Sequence, residues 1–247
     1  MNSTQAISSA PLAVETSGVV KSFGNYIALR GIDLKVPAGS TLAVFGPNGA
    51  GKTTLIKILA SIMRPTSGKI LIEGLELKDN VELLRARLGL VAHQSYLYSN
   101  LSAWENLDFY ARMYGLDDRS KRIGEVIDLV SMTGRKHDRL STFSRGMQQR
   151  MALARALLHK PPILLLDEPE TGLDQQALDA MWDIIKREED GRRTIIFTSH
   201  SFERALAVCN DVVILERGRI AYKAQACTLN LDGLKQKYQE CTAAVKK

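Results

Sequence analysis

The sequence predicts an α/β fold built on a largely parallel sheet. Two observations carry the prediction: aliphatic runs of four or five residues recur along the chain, and segments with helical spacing of apolar residues separate them. With 247 residues, 45% of them hydrophobic, the chain can fill one large domain or a main lobe with a smaller subdomain. Disorder as the main state is excluded.

Residues 1–17, MNSTQAISSAPLAVETS, hold no Lys or Arg and no long apolar stretch, so they fail as a signal peptide and are expected to form a mobile tail. TLAVF (41–45) reads as the first core strand. The helix after it carries Leu55, Ile56, Leu59, Ile62 and Met63 on one face, and Arg64-Pro65-Thr66-Ser67-Gly68 is its expected stop. LGLVA (88–92) is a second strand. From about 101 to 157 strand signals vanish, which predicts a helical subdomain inserted between strands. ILLL (163–166), TIIF (194–197) and DVVIL (211–215) supply the remaining strands. Between the first two of these, Asp174 is the expected N-cap of a helix whose apolar stripe is Leu178, Met181, Trp182 and Ile185. ERGR (216–219) predicts a hairpin turn, and the last twenty residues at most one weakly amphipathic helix.

Composition narrows the setting. No apolar run approaches the roughly 18 residues that cross a bilayer, and mean hydropathy is -0.10, so any membrane role requires a partner. Cys209, Cys227 and Cys241 are odd in number and lack paired His spacing, which argues against a disulfide framework and a zinc site and for a reducing compartment. Net charge is +6, and residues 112–160 alone hold 11 Lys or Arg against 5 Asp or Glu. Such a surplus fits nucleic acid, anionic lipid or an acidic partner, and equally a solvated helical face.

GPNGAGKTT, Gly46 to Thr54, matches G-x-x-x-x-G-K-[ST] between a strand and a helix. Gly46, Gly49 and Gly51 let the backbone around Pro47, Asn48 and Ala50 curl so that successive N–H groups face phosphate oxygens. Lys52 adds a charge for the β and γ phosphates, and Thr53 a magnesium ligand, with Thr54 continuing the helix start. ILLLDEP (163–169) delivers Asp167 and Glu168 to the C-terminal end of a buried strand. Asp167 is the expected holder of Mg²⁺ and Glu168, on the other side of the pleat, the expected general base for water.

With these motifs in place the sequence resembles the ABC-type ATPases. FSRGMQQR (143–150), whose Phe143 lies 20 residues before Ile163, looks like that family's signature. Phe143, Arg145 and Met147 depart from the usual L-S-G-G-Q, while Ser144 and Gly146 keep the positions that approach phosphate. Ser144 can also cap the helix that follows. Gln94 in VAHQSYLY, the run Thr171 to Asp174 and His200 in TIIFTSH follow in family order. The resemblance covers residues 18 to 223. It implies a P-loop core with a mostly parallel sheet, an N-terminal antiparallel β region and an inserted helical subdomain over about 96–157, together making an ATPase domain over 18–227, with 228–247 as C-terminal helix and tail. It further implies that Gln94 senses magnesium and water, that Asp174 reaches across a dimer with Ser144, Arg145, Gly146 and Met147, and that His200 contacts the γ-phosphate. Phe23 occupies the place of an adenine-stacking aromatic, with Tyr26 as fallback and a core-facing Phe23 as the competing reading.

Six of the 15 aromatics, Tyr96, Tyr98, Trp104, Phe109, Tyr110 and Tyr114, follow Gln94, where the resemblance places a groove for a short helix of a membrane subunit. The function implied is that of an ATP- and Mg²⁺-dependent subunit of a transporter, peripheral on the cytoplasmic face of the membrane. It would work as a homodimer or pseudo-symmetric heterodimer, with separate membrane-spanning subunits and without nucleic acid. The alternative is a soluble ABC ATPase acting on nucleic acid or ribosomes. Only 92 positions separate Lys52 from Ser144, without sustained heptads, which argues against the coiled-coil relatives. The chain's end soon after 223 leaves the expectation of an exporter without an importer-type regulatory domain. The run over 92–116 resembles the ATP-binding subunits of haem exporters in cytochrome c maturation.

Overall fold

The computed structural model describes residues 11–92, 94–170, 173, 175–188 and 193–243. In chain order these form β1 (Leu12–Phe23), β2 (Tyr26–Pro37), β3 (Thr41–Phe45), α1 (Lys52–Leu59), β4 (Ser67–Ile72), β5 (Leu75–Glu76), α2 (Val81–Arg85) and β6 (Leu88–Val91). There follow α3 (Ala103–Met113), α4 (Arg119–Leu129), α5 (Arg145–Leu157), β7 (Ile163–Asp167), α6 (Gln175–Glu188) and β8 (Thr194–Thr198). The chain then passes through α7 (Phe202–Leu206), β9 (Asp211–Glu216), β10 (Arg219–Gln225) and α8 (Leu231–Ala243).

Two sheets result. One is antiparallel in the order β2-β1-β4-β5, and the other runs β10-β9-β3-β8-β7-β6 with β10 as its antiparallel edge. The inner strands β3, β7 and β8 are buried along their whole length, as parallel strands covered on both faces must be. Their period of two splits the interior into two cores. Leu42, Val44, Ile163, Leu165 and Ile196 face α1 and the antiparallel sheet, whereas Phe45, Leu164, Leu166, Ile195 and Phe197 face α5, α6 and the helical segment. By the same alternation Asp167, next after Leu166, falls on the α1 side.

Helices α3, α4 and α5 lie between β6 and β7, where strand signals were missing. Ser102 and Glu105 start α3 reciprocally: the Glu105 amide donates to Ser102 Oγ at 3.1 Å and the Ser102 amide to Glu105 Oε2 at 2.7 Å. The same amide bond holds the Glu105 carboxyl below its ordinary pKa. The 216–219 turn joins β9 to β10 with Arg217 and Gly218 both at positive φ, the geometry a tight hairpin of this hand requires.

Two expectations need correction. The tail does not extend to residue 17, because Leu12–Ser17 belongs to β1, paired with β2 and β4. Its burial rests partly on a polar side chain: Thr16 is 2% exposed and its Oγ1 donates to the Ile32 carbonyl at 2.9 Å. Helix α1 ends at Leu59, short of Ile62 and Met63. Ser61 takes a left-handed φ of 57° and the Ile62 amide returns to the Lys57 carbonyl at 3.0 Å, closing the helix before the proline is reached. The C-terminal helix forms as the one weakly amphipathic helix expected, its Leu234 buried and its Tyr238 packed on Phe202 at 5.1 Å. The N-cap expected at Asp174 lies outside the described residues.

Candidate functional site

The loop from β3 to α1 carries Gly46–Thr54. Gly46 could not be another residue, because a Cβ there would stand 2.4 Å from the Leu215 carbonyl oxygen. At Gly51 the φ of 104° and an Ala28 carbonyl 2.7 Å from an added Cβ enforce the same choice. The β9–β10 turn clamps the loop from outside, Gly218 donating its amide to the Ala50 carbonyl at 3.0 Å. Lys52 is 5% exposed, and its Nζ donates to the carbonyls of Gly46 at 2.8 Å and Pro47 at 3.3 Å. Glu168 Oε1 stands 3.6 Å from the same ammonium.

Strand β7 places Asp167 opposite the start of α1. Thr53 Oγ1 donates to Asp167 Oδ1 at 3.1 Å, and Thr198 Oγ1 donates to the same oxygen at 3.0 Å. Asp167 is 3% exposed. Burial raises its pKa above the ordinary carboxylate value, and the neighbouring Glu168 adds to that, while the two threonine hydroxyls pull against it. Glu168 follows at a positive φ of 48°, a backbone conformation that costs a non-glycine residue of order 1 kcal/mol and that turns it away from Asp167. The Glu168 amide donates to Thr198 Oγ1 at 2.7 Å, and His200 Nε2 meets Glu168 Oε1 at 2.9 Å. Glu170 holds the end of β8, accepting from Ser199 Oγ at 2.6 Å and from the His200 amide at 2.9 Å.

Lys52, Thr53, Asp167, Glu168 and His200 are therefore brought together. Phe23 and Tyr26, 46% and 57% exposed, line a cleft of about 200 Å³ with the loop and Glu168, which overturns the core-facing reading of Phe23. The Lys21 ammonium lies 5.1 Å from the Phe23 ring centroid. Gln94 is exposed in the segment after β6, and among the described residues it makes no hydrogen bond or ion pair to Lys52, Asp167 or Glu168. Ser144 does cap α5, accepting from the Met147 amide at 3.3 Å, but none of Ser144, Arg145, Gly146 and Met147 lines the Lys52 cleft. Gln149 on that helix donates to the Pro169 carbonyl at 3.0 Å, tying α5 to the segment after Glu168. Asp174 is outside the described residues.

Thr198 and Glu170 were missed by sequence reasoning. Threonine at a strand end carries no signal by itself, while Glu170 two residues after Glu168 offered one in its acidic spacing. The donor set suits a triphosphate with magnesium. A buried ammonium sits inside the glycine-rich loop that opens α1, and a hydroxyl and a carboxylate share one face as hard oxygen donors. Among the described residues no group of three or more His, Cys, Asp or Glu forms a metal cage, so phosphate oxygens would complete the coordination.

Fold and site together define a P-loop nucleoside triphosphatase of cassette type. The chain belongs to the ABC transporter family, whose sequence model matches residues 29–171, and it is an ATP-binding, ATP-hydrolysing subunit of such a transporter. It is 32% identical over 220 residues to the linearmycin resistance ATP-binding protein LnrL of Bacillus subtilis, covering 87% of this chain and 71% of that one. The Nod factor export ATP-binding protein I of Rhizobium johnstonii is 33% identical, covering 85% and 68%. A dimeric ATP-binding cassette in a post-hydrolysis state, bound to ADP and Pi, superposes with a TM-score of 0.80 at 25% identity, covering 86% of this chain and 98% of that chain.

Proposed function

We propose that this chain energises an exporter by binding and hydrolysing MgATP as a dimer at the cytoplasmic face of a membrane, docked on separate membrane-spanning subunits. The observation that supports it best is the constellation of Lys52, Thr53, Asp167, Glu168 and His200 where the C-terminal ends of β7 and β8 meet the start of α1. No helix among the described residues is long and apolar enough to cross a membrane, so transport would need such a partner.

In this reading Gly46–Thr54 cradles the phosphates, Lys52 leaves its loop carbonyls for the β and γ oxygens, and Phe23 with Tyr26 takes the base. Thr53 and Asp167, with Gln94 as a further ligand, would hold Mg²⁺, which would supply charge neutralisation at the phosphates. Glu168 accepts the proton of the attacking water while His200 fixes the Glu168 carboxylate through their 2.9 Å contact. Ser144–Met147, held off the cleft of their own chain, would close the site of a second subunit, with Asp174 at the same seam. The aromatic segment from Tyr96 to Tyr114 would receive a helix of the membrane subunit.

Export is supported by the relatives' own descriptions, linearmycin resistance and Nod factor export. The narrower expectation, haem handling in cytochrome c maturation, rests on the resemblance over 92–116 and on the FSRGMQQR form of the signature at 143–150. Deleting the gene in its host decides between them. Loss of haem-stained c-type cytochromes would favour haem, whereas normal cytochromes with new sensitivity to amphiphilic antibiotics would favour the broader export reading. A chain that hydrolyses ATP yet never associates with a membrane subunit would overturn both.

A further inference from the structure

We infer that Arg155, on the floor of a cleft beside α3, anchors a carboxylate side chain carried by the docking helix of the membrane subunit; this rests on the docking reading proposed above. The cleft has a volume of about 270 Å³ and lies between β6, α5 and the aromatic face of α3. Arg155 is only 8% exposed. One of its nitrogens donates to the Leu90 carbonyl at 2.6 Å and the guanidinium is in hydrogen-bonding contact with the Tyr110 side chain, while its Nε has no hydrogen-bond partner among the described residues. The rings of Tyr96 and Tyr110 flank the guanidinium at 5.6 and 5.3 Å. They shield it without supplying a counter-charge.

Among the described residues no Asp or Glu lines the cleft, while Arg85 adds a second cation at its edge. A buried guanidinium without an anion is costly, and burial accordingly pushes the Arg155 pKa down. A carboxylate matches the planar guanidinium in shape as well as in charge, reaching it through the part of the group that stays open to the cleft. The surroundings identify its carrier. Tyr98, Phe109 and Met113 are 51%, 39% and 66% exposed, and ring contacts run from Tyr98 through Phe109 to Tyr110. Apolar side chains around one buried cation match an amphipathic helix with a single acidic residue; a free anion would leave that apolar rim unused. The site also adjoins the Gln94 loop. Tyr96, two residues on, has a φ of 55°, and the Tyr110 hydroxyl donates to its carbonyl.

The test uses the assembled transporter. Met113 is replaced by photoreactive benzoylphenylalanine, the cross-linked segment of the membrane subunit is mapped, and its acidic residue is changed to the amide. That change leaves this chain untouched, so folding cannot confound it. Assembly is then measured for the partner variant, for Arg155→Gln, for Arg155→Lys and for the double variant. Each single amide substitution is expected to weaken assembly about tenfold or more, Arg155→Lys less, and the double variant no further than the worse single. A cross-linked segment without an acid within two helical turns, or additive losses, overturns the anchor while leaving docking intact. Absence of any cross-link to the membrane subunit overturns docking and the anchor together.

Discussion

Thr198 is the most economical place to perturb the site. Its hydroxyl accepts from the Glu168 amide at 2.7 Å and donates to Asp167 Oδ1 at 3.0 Å, with the side chain fully buried. Thr198→Val keeps the shape and removes both bonds. An unmet amide costs about 1–3 kcal/mol, and a lost bond to a charged group a similar amount, so the variant should lose roughly 3 kcal/mol. For a chain of this size that lowers Tm by about 6–12 °C. The Asp167 pKa rises further, having lost one of the two hydroxyls that oppose burial. Glu168, freed to shift by even a fraction of an ångström, should drop kcat about a hundredfold while the KM for ATP changes little, because the P-loop is untouched. Thr198→Ser retains the hydroxyl and should stay near wild type in kcat. Thermal melts and steady-state ATPase assays report both effects. A Thr198→Val protein that melts within about 2 °C of wild type and turns over at its rate would refute the reasoning.

Lys52→Ala should abolish ATP binding with the fold intact, read by nucleotide fluorescence and circular dichroism; retained binding would contradict the cradle. Phe23→Ala should raise the Kd for ATP by about tenfold, the loss of one stacking contact, with a smaller effect for Tyr26→Ala. Stability should depend on pH through His159, which stacks on Tyr114 at 3.9 Å and whose Nε2 faces the Leu88 carbonyl at 3.2 Å. Burial holds its folded pKa down at about 4 against an ordinary 6.5. The neutral ring therefore stabilises the fold fully above pH 6.5, and that contribution, roughly 3 kcal/mol, is lost as pH falls from 6.5 through 4. His159→Phe should flatten the Tm profile across that window; an unchanged slope would assign the acid sensitivity to other groups.

The parallel sheet was legible because its strands are buried on both faces, so TLAVF, ILLL and TIIF stand out as uninterrupted aliphatic runs. The antiparallel region was expected from the resemblance alone, and its register was not legible, since it depends on partners far along the chain. Val14 pairs with both Val36 and Ile72, and buried Thr16 disguises an inward position as a polar one. At the site, the residues that the fold brings together include those announced by a local motif, Lys52 and Thr53 in the loop and helix start at 46–54 and Asp167 and Glu168 at the end of β7. Thr198 and Glu170 act through contacts that exist only after β7 and β8 pair in register. Helix α1 was overextended because apolar spacing continues through Met63, whereas the stop is set by backbone geometry at Ser61.

The central claim, that Glu168 drives hydrolysis at a site completed by a second chain, is tested most directly by Glu168→Gln. Light scattering with saturating ATP and Mg²⁺, alongside phosphate release, gives the measurement. The account predicts a stable dimer holding ATP with turnover reduced by about a hundredfold or more, because the amide keeps the shape and loses the basicity. A protein that stays monomeric and hydrolyses ATP near the wild-type rate would contradict it.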